Sequence, residues 1–153
     1  MSRELRALEF PLHGSRLIEA SAGTGKTFTI ALLYLRLVLD HGGELRFGPT
    51  LSPPAILVVT FTDAATQELR ERISASLGEA ANCFAEPALA HDPLLVELRS
   101  SYPEDRWPGC ARLLRLAAEW MDEAAVSTIH SWCYRMLREH AFDSGSLFTQ
   151  DLI

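Results

Sequence analysis

The residue types best suited to chemistry in this chain stand together near its start: Ala20, Ser21, Ala22, Gly23, Thr24, Gly25, Lys26 and Thr27. Gly23 and Gly25 let the backbone take conformations and make close approaches that a Cβ would obstruct. Successive amides in such a turn form a nest for an anion, strengthened where a helix begins. Lys26 can then reach the β- and γ-phosphates of a nucleotide, and the Thr27 hydroxyl can sit on its Mg²⁺. The expected ligand is ATP with Mg²⁺, held by residues 20–27 and Phe28, with Lys26 and Thr27 in the catalytic roles and Thr27 as the metal contact. The pattern GxxxxGK[ST] is met in variant form, because Ala20 occupies the place of the first glycine. A chance glycine-rich turn before a buried helix is the plain alternative.

Such a loop works only between a strand and a helix, and the flanking residues supply candidates for both. Residues 16–20 (RLIEA) predict a short strand. From Lys26 to about Asp40, the apolar residues Ile30, Leu33, Tyr34, Leu37 and Val38 recur at helical spacing. Leu32, Leu35 and Leu39 cover much of the remaining circumference, so this helix should be buried on most sides. Residues 42–54 (GGELRFGPTLSPP) read as a loop. The β-branched run at 55–60 then predicts a fully buried parallel strand.

A helix capped by Thr62 or Asp63 follows, with Ala65, Leu69, Ile73 and Leu77 on one face. Residues 79–104 read as helical in parts. A further amphipathic helix places Leu113, Leu116, Ala117, Trp120 and Met121 along its apolar face. Residues 125–129 form a third strand candidate, and residues 130–141 a last helix with Cys133, Met136, Leu137 and Ala141 inward. Strands alternating with helices predict a parallel α/β sheet flanked by helices.

The chain has 153 residues, of which 48% are hydrophobic and 22% charged, enough for one globular core and too apolar for a disordered acidic tail. Its 14 basic against 20 acidic residues, net −6, exclude nucleic-acid binding through bulk positive charge but leave room for a local stripe. Arg70, Arg72, Arg135 and Arg138 are candidates for one, although solvated helix faces are the more common explanation of such residues. Cys83, Cys110 and Cys133 lack zinc-ligand spacing and suit reduced thiols. With no export signal and no bilayer-length apolar run, the expected location is the cytoplasm. Trp107, Trp120 and Trp132 suit core or interface positions.

Three segments in order, LIEASAGTGKTFTI at 17–30, LVVTFTDAA at 57–65 and MDEAAVSTIH at 121–130, resemble the UvrD/Rep-like superfamily 1 helicases of the RecBCD type. AFDSGSLF at 141–148 adds to the resemblance. It implies that residues 1–153 are the first, incomplete part of a RecA-like P-loop domain, with the phosphate loop at 20–27, a second motif at 58–65 and a Thr-x-His motif at 126–132. It further implies an ATP-dependent DNA helicase and exonuclease acting in double-strand-break repair and recombination with RecC-like and RecD-like subunits. Its DNA substrates would be single strands and duplex ends. In the family the two later motifs line the single-stranded DNA path, which assigns Thr60, Phe61 and Thr62 to one contact and Thr128 and His130 to the other. Phe61 offers a π-face for a base, and hydroxyls and amides suit phosphates.

Two positions depart from the family pattern. Asp63-Ala64 stands where relatives commonly carry Asn-Lys, and His13 stands where a glutamine contacts adenine. An imidazole cannot present the paired geometry of an amide. No apolar strand ending in Asp-Glu follows the third strand candidate, and no motif positions an arginine finger. Residues 151–153 end the chain on apolar side chains without a closing helix, so we expect the sequence to continue and the 153-residue piece to bind without turning over ATP. Open strand edges would favour its self-association. The competing functions are a small-molecule P-loop kinase and a non-catalytic nucleotide- or DNA-binding module.

Overall fold

A computed structural model describes residues 6–19 and 25–141. The first helix, α1 (Lys26–Leu39), ends where Asp40 turns into the left-handed region at φ 55° and returns its N–H to the Arg36 carbonyl. Its buried face is formed by Ala31, Leu32, Tyr34, Leu35, Val38 and Leu39, and Ile30 and Phe28 remain partly exposed. After two short 3₁₀ turns the chain enters β1 (Leu57–Thr60). The long α2 (Asp63–Ala85) follows, capped by Thr62, whose hydroxyl accepts the Ala65 N–H at 3.1 Å.

Residues 79–104 contain the end of α2, a short α3 (Pro93–Ser100) capped by Asp92, and connecting turns. Then come α4 (Trp107–Glu119), β2 (Ala125–Thr128) and α5 (Ile129–Glu139). β1 and β2 pair in parallel, Leu57 opposite Ala125 and Thr60 opposite Thr128, with the three helices α2, α3 and α4 in the crossover between them. The expected parallel α/β arrangement is thus present as a two-stranded sheet among the described residues.

One core joins α1, α2, α3 and α4. Ile73, Leu77, Ala80 and Phe84 of α2 meet Leu35 and Val38 of α1, Leu98 of α3, and Leu114 and Ala117 of α4. Basic side chains bind this core to its loops. Arg70 donates to the carbonyls of Met121 at 2.9 Å and Val126 at 3.0 Å, fixing α2 to β2 and its approach. Arg99 donates to the Cys83 carbonyl at 2.9 Å while its guanidinium lies 4.8 Å from the Trp107 ring centroid.

Several expectations need correction. Residues 16–19 do not form a strand, and Leu17 is 81% exposed. A strand exists only by pairing, and both described strands pair with each other. β1 begins two residues late because Pro53 and Pro54 set a 3₁₀ turn, and it is open on one face, with Leu57 and Val59 exposed. The apolar face of α4 is centred on Cys110, Ala111, Leu114 and Ala117, leaving Leu113, Leu116 and Trp120 partly exposed. α5 starts at Ile129 and has no buried residue within its bounds; Cys133 and Leu137 are exposed instead of inward. Arg70 is half-buried and donates through both Nη atoms to backbone carbonyls instead of facing outward in a stripe.

Candidate functional site

The start of α1 has the character of an anion site. Gly25 precedes the helix in the left-handed conformation, φ 77° and ψ 28°, and its carbonyl accepts the Thr29 N–H at 3.0 Å. Nothing lies within 4 Å of the Cβ that another residue would place there, so glycine is required by the backbone angle alone. Among the described residues no side chain caps the helix, and no acidic residue stands in its first turn. No carboxylate among them, then, offsets the first-turn amides or the positive end of the helix dipole. Lys26 is exposed beside them, Thr27 half-buried and Phe28 partly exposed. Ala20, Ser21, Ala22, Gly23 and Thr24 lie outside the described residues.

His13 is exposed, in a bend completed by Gly14 at φ 72°. Its carbonyl accepts from Arg16 Nε at 3.4 Å. The Leu12 N–H just before it donates to the Leu45 carbonyl at 2.8 Å.

A second constellation forms where β1 and β2 end. Because Thr60 stands opposite Thr128, the two chains leave the sheet at the same level and each turns into a helix capped by a threonine. Thr60 is buried, its hydroxyl 2.6 Å from Thr66 Oγ1, and both hydroxyls lie close to the Thr62 carbonyl, at 3.0 and 3.1 Å. Two protons cannot satisfy three such contacts at once, so this hydroxyl pair shares them. Thr128 is also buried; its Oγ1 accepts the Ser131 N–H at 3.1 Å and donates to Ser131 Oγ at 3.0 Å. Thr60 and Thr128 are thus occupied within the protein. What they present to solvent is Phe61, 90% exposed, with Thr62, Ile129 and His130 exposed alongside.

Phe61, two residues before α2, is outside the core of the described residues, and exposed aromatic faces with nearby amides suit nucleic acid. By contrast, a cavity of about 540 Å³ near the far end of α2 is lined by Glu79, Glu86, Asp92, His91 and Cys83, an acidic wall unsuited to phosphate. Burial raises the Cys83 thiol above its ordinary pKa, opposed by the neighbouring Arg99, and leaves it a poor nucleophile. Among the described residues no group of three or more His, Cys, Asp or Glu could hold a metal ion. No helix there is long and apolar enough to cross a membrane.

Two buried basic groups escaped the sequence reading. Arg36 is fully buried on α1, and His41, also buried, accepts from its Nε through Nδ1 at 3.1 Å. The sole sequence signal was a single arginine inside an otherwise apolar helical run.

A parallel α/β pairing and a glycine-led helix start fit a helicase N-terminal domain. The comparison with known families agrees: the chain belongs to the UvrD/REP helicase N-terminal domain family, which matches residues 1–151. Among individual proteins, it is 49% identical over its whole length to the RecBCD enzyme subunit RecB of Escherichia coli K12. It is 42% identical over 97% of its length to the RecB subunit of Haemophilus influenzae. The chain spans about 13% of the length of these relatives.

Proposed function

We propose that this chain is the nucleotide-binding beginning of an ATP-dependent DNA motor with a RecA-like P-loop core. The observation that carries this reading is the start of α1, with Gly25 in the left-handed conformation, Lys26 exposed and no acidic residue in the first turn. These residues fit a triphosphate: they offer donors and positive charge and no competing carboxylate. Residues 20–27 wrap the phosphates, Phe28 supports the turn, and Lys26 contacts the β- and γ-oxygens. Thr27 supplies one oxygen to a Mg²⁺ that arrives with ATP and neutralises charge on the phosphates when bound. His13 stands on the base side.

Single-stranded DNA crosses the ledge at the strand ends. Phe61 stacks on a base, Thr62 and His130 meet the backbone, and Thr60 and Thr128 hold the ledge from beneath. A small-molecule kinase would leave Phe61 and His130 without work. By extension from the similar RecB subunits, the longer protein is a helicase and exonuclease that engages duplex ends, acts in double-strand-break repair and recombination, and works in the cytoplasm with RecC-like and RecD-like subunits. ATP turnover belongs to that longer protein.

The decisive experiment is titration of the chain with a fluorescent ATP analogue and Mg²⁺, paired with Lys26→Ala. Weak binding lost in the variant is expected; equal binding by both proteins would refute the phosphate site. A Mg²⁺-dependent ATPase of the 153-residue chain that vanished in Lys26→Ala would refute the assignment of turnover to the longer protein.

A further inference from the structure

The core takes one side of α4, through Cys110, Ala111, Leu114 and Ala117. Another side of the same helix is apolar along a line. Leu113, Leu116 and Trp120, at i, i+3 and i+7, are 38, 45 and 52% exposed. They form a ridge about 10 Å long that ends just past the helix. Single exposed leucines are ordinary, but three large apolar groups in one row mark an interaction surface.

A cavity opens on each flank of this ridge, and Leu116 lines both. One, of about 350 Å³, lies against the end of α2, with Phe84, Pro108, Arg112 and Arg115 on its walls. The other, of about 280 Å³, is bounded by Leu113, Trp120, Leu51 and Pro53. A raised row between two depressions is the relief into which side chains of a second helix fit.

The charge beside the ridge states what that helix carries. Arg112 and Arg115 are exposed, and among the described residues neither has an ion-pair or hydrogen-bond partner. Glu119, one turn beyond Arg115, is exposed and forms no ion pair with them. In a chain of net charge −6 the two arginines make a local positive flank, and the forked donors of a guanidinium match carboxylates. A second copy of the chain would bring the same two arginines to the contact. A nucleic-acid strand would satisfy the arginines without filling the two apolar cavities.

We propose that this face of α4 is a docking surface for an acidic amphipathic helix of a partner protein. The partner's apolar side chains enter the cavities astride Leu116, its carboxylates meet Arg112 and Arg115, and Trp120 anchors one end of the contact. The proposal does not depend on the nucleotide reading above.

The test is photo-cross-linking in the longer protein, purified with the polypeptides that accompany it, with benzoylphenylalanine in place of Leu116. Mass spectrometry of the joined peptides is the readout. The expected product links α4 to another polypeptide, at a segment with apolar residues at helical spacing flanked by Asp or Glu. Arg112→Glu combined with Arg115→Glu should lower the yield about tenfold or more, because repulsion replaces attraction. Changing the partner's flanking acidic residues to lysine should then restore it, and Arg72→Glu, at an exposed position on α2, should have no effect. Should the Leu116 replacement fail to fold, benzoylphenylalanine at Leu113 reads the same face. A cross-link to another segment of the same chain, to a second copy, to nucleic acid or to a segment without acidic residues would overturn the proposal. So would full yield after charge reversal, or no cross-link from either position.

Discussion

The helical side of the molecule and the strand-end side are built on opposite terms. Where α1, α2, α3 and α4 meet, Leu35, Ile73, Leu77, Leu98 and Leu114 are sealed from solvent, and even the arginines there donate inward. At the strand ends Phe61 and Ile129 are exposed, and α5 buries nothing within its bounds. Stability is concentrated on one side and candidate binding groups on the other. The exposed ledge is not asked to hold the fold, and the threonines beneath it have their hydroxyls engaged within the protein.

The sharpest way to break this contrast is to cut side chains on each side. Leu114→Ala should cost about 2–5 kcal/mol in urea unfolding, and Leu137→Ala on α5 less than about 0.5 kcal/mol. Comparable losses would mean the two sides share the load.

The next largest effect concerns pH. Burial, reinforced by the adjacent Arg36 charge, pushes the His41 pKa down to about 4 from the ordinary 6.5. The unfolded chain therefore binds the proton more readily between those values, so stability is full above pH 6.5 and falls as pH drops toward 4. Unfolding free energy should decline by about 2 kcal/mol from pH 7 to pH 5, and His41→Asn should flatten that slope. An unchanged slope in the variant would place the titration elsewhere.

Smaller still is the cap. Thr62→Ala should remove about 1 kcal/mol through the lost bond to the Ala65 amide, measurable as a lower midpoint in the same denaturation. Least of all, Phe61→Ala should move stability by no more than about 0.5 kcal/mol while weakening binding of a fluorescent single-stranded oligonucleotide by about 1–3 kcal/mol. A destabilised Phe61→Ala protein would return that residue to the fold.

How much of this was legible beforehand depended on whether the signal was local. α1 and the start of α2 were readable because Lys26, the periodic leucines and the Thr62 cap act within one or two turns. So was parallel pairing, from the apolar runs separated by helical segments. The phase of α4 was read in part: Ala117 and Met121 are buried as expected, but Leu113, Leu116 and Trp120 satisfy helical spacing as well as Cys110 and Leu114 do, and only the neighbours choose between them. α5 was misread for the converse reason: an amphipathic pattern states which face could be covered, not whether a neighbour is there. Residues 16–19 carry strand-like side chains, but a strand needs a partner that no local pattern supplies.

In the candidate site, Phe61 and His130 were found by motif and lie at the surface, whereas Thr60 and Thr128 emerged as supports because hydroxyl contacts across six or three residues are invisible in a string of letters. Arg36 was hidden for the same reason, since its distant partners are the backbone carbonyls of Ala7 and Phe10, a group every residue possesses.

The flush ending of the two strands has a geometric outcome. Neighbouring strands run about 4.8 Å apart, so the mouths of α2 and α5 open side by side from a common rung, Thr60 with Thr128. Sliding β1 by a single position would invert its side chains, exposing Thr60 and turning Leu57 and Val59 to the other face. The ladder of backbone bonds thus acts as a gauge, keeping the two openings in step.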